Sequence, residues 1–122
     1  MQTRIAILAV VATLCAGTCA ADPGGVTYDA VVTQDGQLRN NTGAVSAERI
    51  RSGTYDVTFG ADLSECTITA TLGRGSTGGG AYEKPGFISA DLASDDPTVV
   101  FVDTAGVKGH PRERAFHLVI AC

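Results

Sequence analysis

Apolar side chains in this chain recur at every second position and almost never at every third or fourth, a spacing that builds strands rather than amphipathic helices. Residues 66–72 carry the pattern most cleanly: Cys66, Ile68, Ala70 and Leu72 share one face, and Thr67, Thr69 and Thr71 the other. Residues 54–59 repeat it, with Tyr55, Val57 and Phe59 alternating against Thr54, Asp56 and Thr58. Threonine suits the open face of a pleated sheet, because its branched Cβ packs against cross-strand neighbours. The connector between the two runs, residues 60–65, is long enough for a hairpin loop or for a short crossing at a sheet edge.

Residues 26–33 place Val26, Tyr28, Ala30 and Val32 on one side and run into a turn at Asp35-Gly36. Residues 44–50 make a weaker strand, and residues 86–92 turn Ile88, Ala90 and Leu92 inward. Residues 99–102 are apolar on both faces, as a central strand is, and residues 115–122 align Phe116, Leu118, Ile120 and Cys122. About seven short strands separated by Gly, Asp, Asn and Pro specify an all-β fold. The expected architecture is an antiparallel β-sandwich, with a jelly-roll-like order preferred over an immunoglobulin-like one. Its expected core is Tyr55, Val57, Phe59, Ile68, Ala70, Leu72, Phe116, Leu118 and Ile120. The threonine faces of residues 54–58 and 67–71, if adjacent, make one flat polar surface of the kind that packs around the axis of a homotrimer.

Residues 1–21 stand apart. A short n-region with one positive charge, Arg4, precedes ten uninterrupted apolar residues at positions 5–14. Small residues follow up to Ala20-Ala21, and Asp22-Pro23 opens a polar segment. That order is a secretory signal peptide, and its apolar run is about half of what a membrane-spanning helix needs. Lipoprotein anchoring through Cys15 or Cys19 is the competing reading, weakened by Leu14 and Thr18 where small residues are usual. The expected organisation is therefore a signal peptide at 1–21 and a single all-β domain at 22–122, secreted and without a permanent membrane span. Two of the four cysteines leave with the signal. Cys66 and Cys122 remain, an even pair in an exported chain, and read as a disulfide. Their loop of about 57 residues corresponds to about 4 kcal/mol of chain entropy.

Charge excludes one class of function. The chain holds 9 Lys+Arg against 13 Asp+Glu, and loss of Arg4 leaves the remainder more acidic still. Binding to nucleic acid needs a basic stripe for phosphates, and no such partner is expected.

The chemical motifs are weak. Gly73-Arg74-Gly75-Ser76-Thr77-Gly78 matches the dinucleotide fingerprint, but Pro85-Gly86 shortly after it cannot open the helix that holds a pyrophosphate. Asp91, Asp95, Asp96 and Asp103 are acidic, yet their spacing matches no calcium loop and Asp95-Asp96-Pro97 is ordinary turn chemistry. His110 and His117 with Ser64 or Ser89 and Asp103 contain the elements of a hydrolase triad without a nucleophile-elbow pattern. Zinc needs three or four convergent ligands, and the cysteines are already assigned. No catalytic residue, metal or cofactor is expected. Asn40-Asn41-Thr42 is a glycosylation sequon in what reads as a turn. Tyr82, Glu83 and Lys84, beside the glycine loop at 73–80, are the one candidate binding patch.

Three stretches carry a resemblance: Gly53-Thr54-Tyr55-Asp56-Val57-Thr58-Phe59, Cys66-Thr67-Ile68-Thr69-Ala70-Thr71-Leu72-Gly73, and Phe116-His117-Leu118-Val119-Ile120-Ala121-Cys122. With the Asp-Gly-x-Leu turn at 35–38, they resemble a group of short exported bacterial β-rich proteins and domains. The resemblance implies a fold and no activity. More distantly, the first stretch is similar to the jelly-roll knobs of phage tail fibres and of C1q-like trimers. The leading expectation is a non-enzymatic secreted module that recognises a macromolecule or glycan. Behind it stand a structural or envelope-associated protein without a ligand, and a small hydrolase.

Overall fold

A computed structural model describes residues 25–75 and 84–122, all of them in strands, turns and loops. The strands are β1 (Thr27–Val32), β2 (Leu38–Thr42), β3 (Ala44–Arg51), β4 (Thr54–Phe59), β5 (Thr67–Leu72), β6 (Gly86–Ala93), β7 (Asp96–Gly106) and β8 (Phe116–Ala121). They form two four-stranded antiparallel sheets, ordered β2-β1-β8-β5 in the first and β3-β4-β7-β6 in the second. The protein is an all-β sandwich. No helix among the described residues is long and apolar enough to cross a membrane.

Period-2 alternation places the core. β1 contributes Ala30 and Val32, β4 Tyr55, Val57 and Phe59, β7 Val100 and Val102, and β8 Phe116, Leu118 and Ile120, all buried between the sheets. These are the two central strands of each sheet, which have a neighbour on both sides. Edge strands β5 and β6 bury less: Ile68, Ala70, Ile88, Ala90 and Leu92 pack against the core while partly exposed, and Leu72 is half-buried. Two ring contacts bridge the layers, Tyr55 edge-on to Phe116 at 5.1 Å and Tyr28 tilted over Phe59 at 6.1 Å.

Three expectations need correction. There are eight strands, because residues 38–42 pair with β1 as an exposed edge strand. Asn40, Asn41 and Thr42 therefore lie in β2 and not in a turn. The turns on either side sit at Asp35-Gly36 and at Gly43, both glycines at positive φ. Next, β4 and β5 do not pair. The connector at 60–66 carries the chain from the second sheet to the first, with Leu63 fully buried and its amide donating to the Pro97 carbonyl. Thr54, Asp56 and Thr58 thus belong to a different sheet from Thr67, Thr69 and Thr71, and the joint threonine face for a three-fold axis does not exist. The expected Cys66–Cys122 disulfide is present, with an S–S distance of 2.01 Å, and joins the ends of β5 and β8 at the rim of the core. Cys66 is half-buried and Cys122 exposed, because the bond continues the Thr67↔Ala121 register by one residue beyond the ladder.

Candidate binding face on the second sheet

The outer face of the second sheet is built by register. Arg51, Thr54, Asp103 and Ser89 stand opposite one another in β3, β4, β7 and β6, a polar row across all four strands. One repeat along the strands, Glu48, Asp56, Phe101 and Asp91 form a second row, and in the other direction Phe87 faces Ala105. Phe87 is 61% exposed. Phe87 and the level of Phe101 are four residues apart along β6, about 13 Å at strand rise.

Two hollows lie along these rows. One of about 630 Å³ is lined by Arg51, Thr54, Phe87, Ser89, Asp103 and Pro111, among others. The other, about 520 Å³, takes in Ile50, Asp56, Asp91, Asp95 and Phe101. A break in register between Arg49 and Arg51 marks a bulge, and both Ile50 and Arg51 line hollows on this face. The polar row is fixed from within, since the Thr54 hydroxyl donates to Asp103 Oδ1 at 2.9 Å. Burial pushes the Asp56 carboxyl above its ordinary value of 3.8, and the Glu48 and Asp95 charges push the same way. Asp62 and Asp96 are held below 3.8 by the hydroxyl and amide of Ser64 and Thr98, and Asp35 chiefly by the Thr33 hydroxyl.

Other residues singled out from the sequence are scattered. Of the four aspartates, Asp91 and Asp95 share a hollow, Asp103 lines the other, and Asp96 is engaged by Thr98. Among the described residues no three His, Cys, Asp or Glu side chains converge as metal ligands. His117 lies on the first sheet and donates Nε2–H to the Arg74 carbonyl at 2.9 Å. Ser64 donates to Asp62 at the far end of the molecule; Ser89 does stand opposite Asp103, but neither His110 nor His117 lines the hollow that those two share. Lys84 is exposed two residues before β6. Tyr82 and Glu83, most of the glycine loop and residues 1–21 lie outside the described residues. Phe87, Phe101, Arg51 and Asp56 were not expected to form a surface. The signal for Phe101 was in the chain all the same: residues 99–102 are apolar on both faces, and one of those faces points outward.

No family model matches the chain, and no curated protein or solved structure matches it either.

Proposed function

We propose that the protein is a non-enzymatic extracellular recognition module that binds a glycan along the outer face of its second sheet. The observation that carries this reading is the polar row Arg51–Thr54–Asp103–Ser89, set on rigid strands between two outward aromatic rings. Sugar rings present apolar C–H faces and equatorial hydroxyls. The electron-rich faces of Phe87 and Phe101 take the former, and carboxylates and hydroxyls in fixed positions take the latter. A site held by sheet register loses little entropy on binding. The span between the aromatic levels accommodates a run of sugar units rather than one.

The test is a glycan array followed by calorimetry on the best binder. Phe87→Ala and Asp103→Asn should each weaken binding about tenfold or more, the scale of 1.4 kcal/mol, with unchanged circular dichroism. Retention of full affinity by both variants would move the site elsewhere, and an array with no binder would remove the glycan reading.

A further inference from the structure

After residue 21 the chain has eight lysines and arginines, and the fold gathers all of them at one end of the sandwich. Arg39 follows the Val32↔Leu38 pair at the β1–β2 turn, and Arg49 and Arg51 flank the β3–β4 turn. Arg74 leaves β5 beside His117, and Lys84 enters β6 opposite the end of β7. Lys108, Arg112 and Arg114 lie in the connection from β7 to β8. The opposite end carries Asp62, Glu65, Asp95 and Asp96. A protein with an acidic balance therefore presents a strongly basic surface at a single pole. Among the described residues the carboxylates at that pole are engaged: Glu113 pairs with Arg49 at 2.5 Å, Asp35 accepts from Thr33, and Asp103 accepts from Thr54.

The basic connection is a built feature. Gly106 and Gly109 amides donate to the His110 and Gly106 carbonyls, and the Thr104 hydroxyl donates to the Arg112 carbonyl at 2.6 Å. The Arg112 and Arg114 guanidiniums donate to the Pro111 and Glu113 carbonyls, which sets their planes. Around them is a hollow of about 290 Å³ lined by Lys108, His110, Arg112 and Arg114. It adjoins the face described above, because Gly109 and Pro111 of the same connection line the hollow that holds Phe87 and Asp103.

We infer that the two hollows form one binding surface and that the glycan it takes is anionic, with a carboxylate, sulfate or phosphate substituent in the hollow of Lys108, His110, Arg112 and Arg114. This rests on the glycan reading. A chain lying over Phe87 and extending past Pro111 delivers its next substituent to Lys108, His110 and the two guanidiniums whose planes those bonds set. Planar guanidiniums match two-oxygen acceptors of this kind.

Calorimetry on the full chain should compare one oligosaccharide backbone in neutral, uronate, sulfated and phosphorylated forms, with a DNA duplex as a further ligand. At least one charged form should bind about tenfold or more tightly than the neutral form at low salt, and the preference should shrink as ionic strength rises. Lys108→Glu and Arg112→Glu, both at exposed positions, should abolish the preference while leaving neutral binding in place. Phe87→Ala should weaken all forms together. Equal binding of neutral and charged forms overturns the inference and leaves the glycan reading standing. Binding of no glycan in any form overturns both. Duplex DNA binding as tightly as the best charged glycan overturns the inference in favour of unselective attraction to polyanions.

Discussion

Tyr55 reaches from the second sheet to donate its hydroxyl proton to the Gln34 carbonyl at 2.5 Å, in the β1–β2 turn of the first sheet. Burial of that ring holds its phenol above the ordinary pKa of 10.0, so it remains a donor across the working pH range. Asp56 is raised as well, with a different consequence, because its ionised form is the one present at neutral pH. An acid whose folded pKa exceeds its unfolded one adds stability below the unfolded value and loses it as pH rises through the folded one. Asp56→Asn removes a charge that partial burial disfavours and that Glu48 and Asp95 repel. The variant should melt above the parent at pH 7, and the gap should close as pH falls toward the ordinary 3.8. A calorimetric series in pH checks this, and a gap independent of pH would mean that the fold does not disfavour the Asp56 carboxylate.

At the scale of elements, β2 and β3 are separated by one residue, Gly43, where the chain bends from one sheet into the other. Its φ is +79°, its carbonyl accepts from Gly60, and a Cβ placed there would stand 2.3 Å from the Tyr28 ring. Gly43→Ala should therefore cost about 2 kcal/mol or more, from left-handed strain and ring displacement together. Gly109 has a φ of +82° and nothing within 4 Å of that position, so Gly109→Ala should cost only the conformational share, about 1 kcal/mol. Denaturant titration of the pair separates the two effects, and equal losses would remove the steric role of Tyr28. Which strands were legible follows from the same geometry. β4 and β8 are central, bury every second side chain, and so announce themselves by alternation; edge strand β5 does so too, because its Ile68 and Ala70 pack on the core, while β7 shows as a run apolar on both faces. β2 reads Leu38-Arg39-Asn40-Asn41-Thr42, and an exposed edge strand has no buried face to leave that trace. Alternation also says nothing about which strand lies beside which, so the Thr-bearing strands β4 and β5 looked like neighbours while the connector at 60–66 was separating them. The binding face was hidden for a related reason. Its residues come from four strands and are assembled only by register, whereas the patch at Tyr82, Glu83 and Lys84 was contiguous and easy to see.

For the molecule as a whole, the disulfide at the rim fastens edge strand β5 to central strand β8. Replacing both Cys66 and Cys122 by Ala should lower stability by about 4 kcal/mol. Loss of hydrogen-exchange protection should begin in β5 and reach β4 and β7 last, because the latter are the central strands of the other sheet. An unchanged denaturation midpoint would mean that the bond constrains nothing. The position of β8 has a second consequence, which concerns time. It lies between β1 and β5, and Thr27 finds its partner at Ala121. The first sheet has no centre until residue 121 has left the ribosome, so β1 waits for roughly ninety residues of synthesis, on the order of 5–20 s at typical elongation rates. Throughout that interval the second sheet, complete by residue 106, can form, while β1 has only β2 beside it and the first sheet stays open along one side.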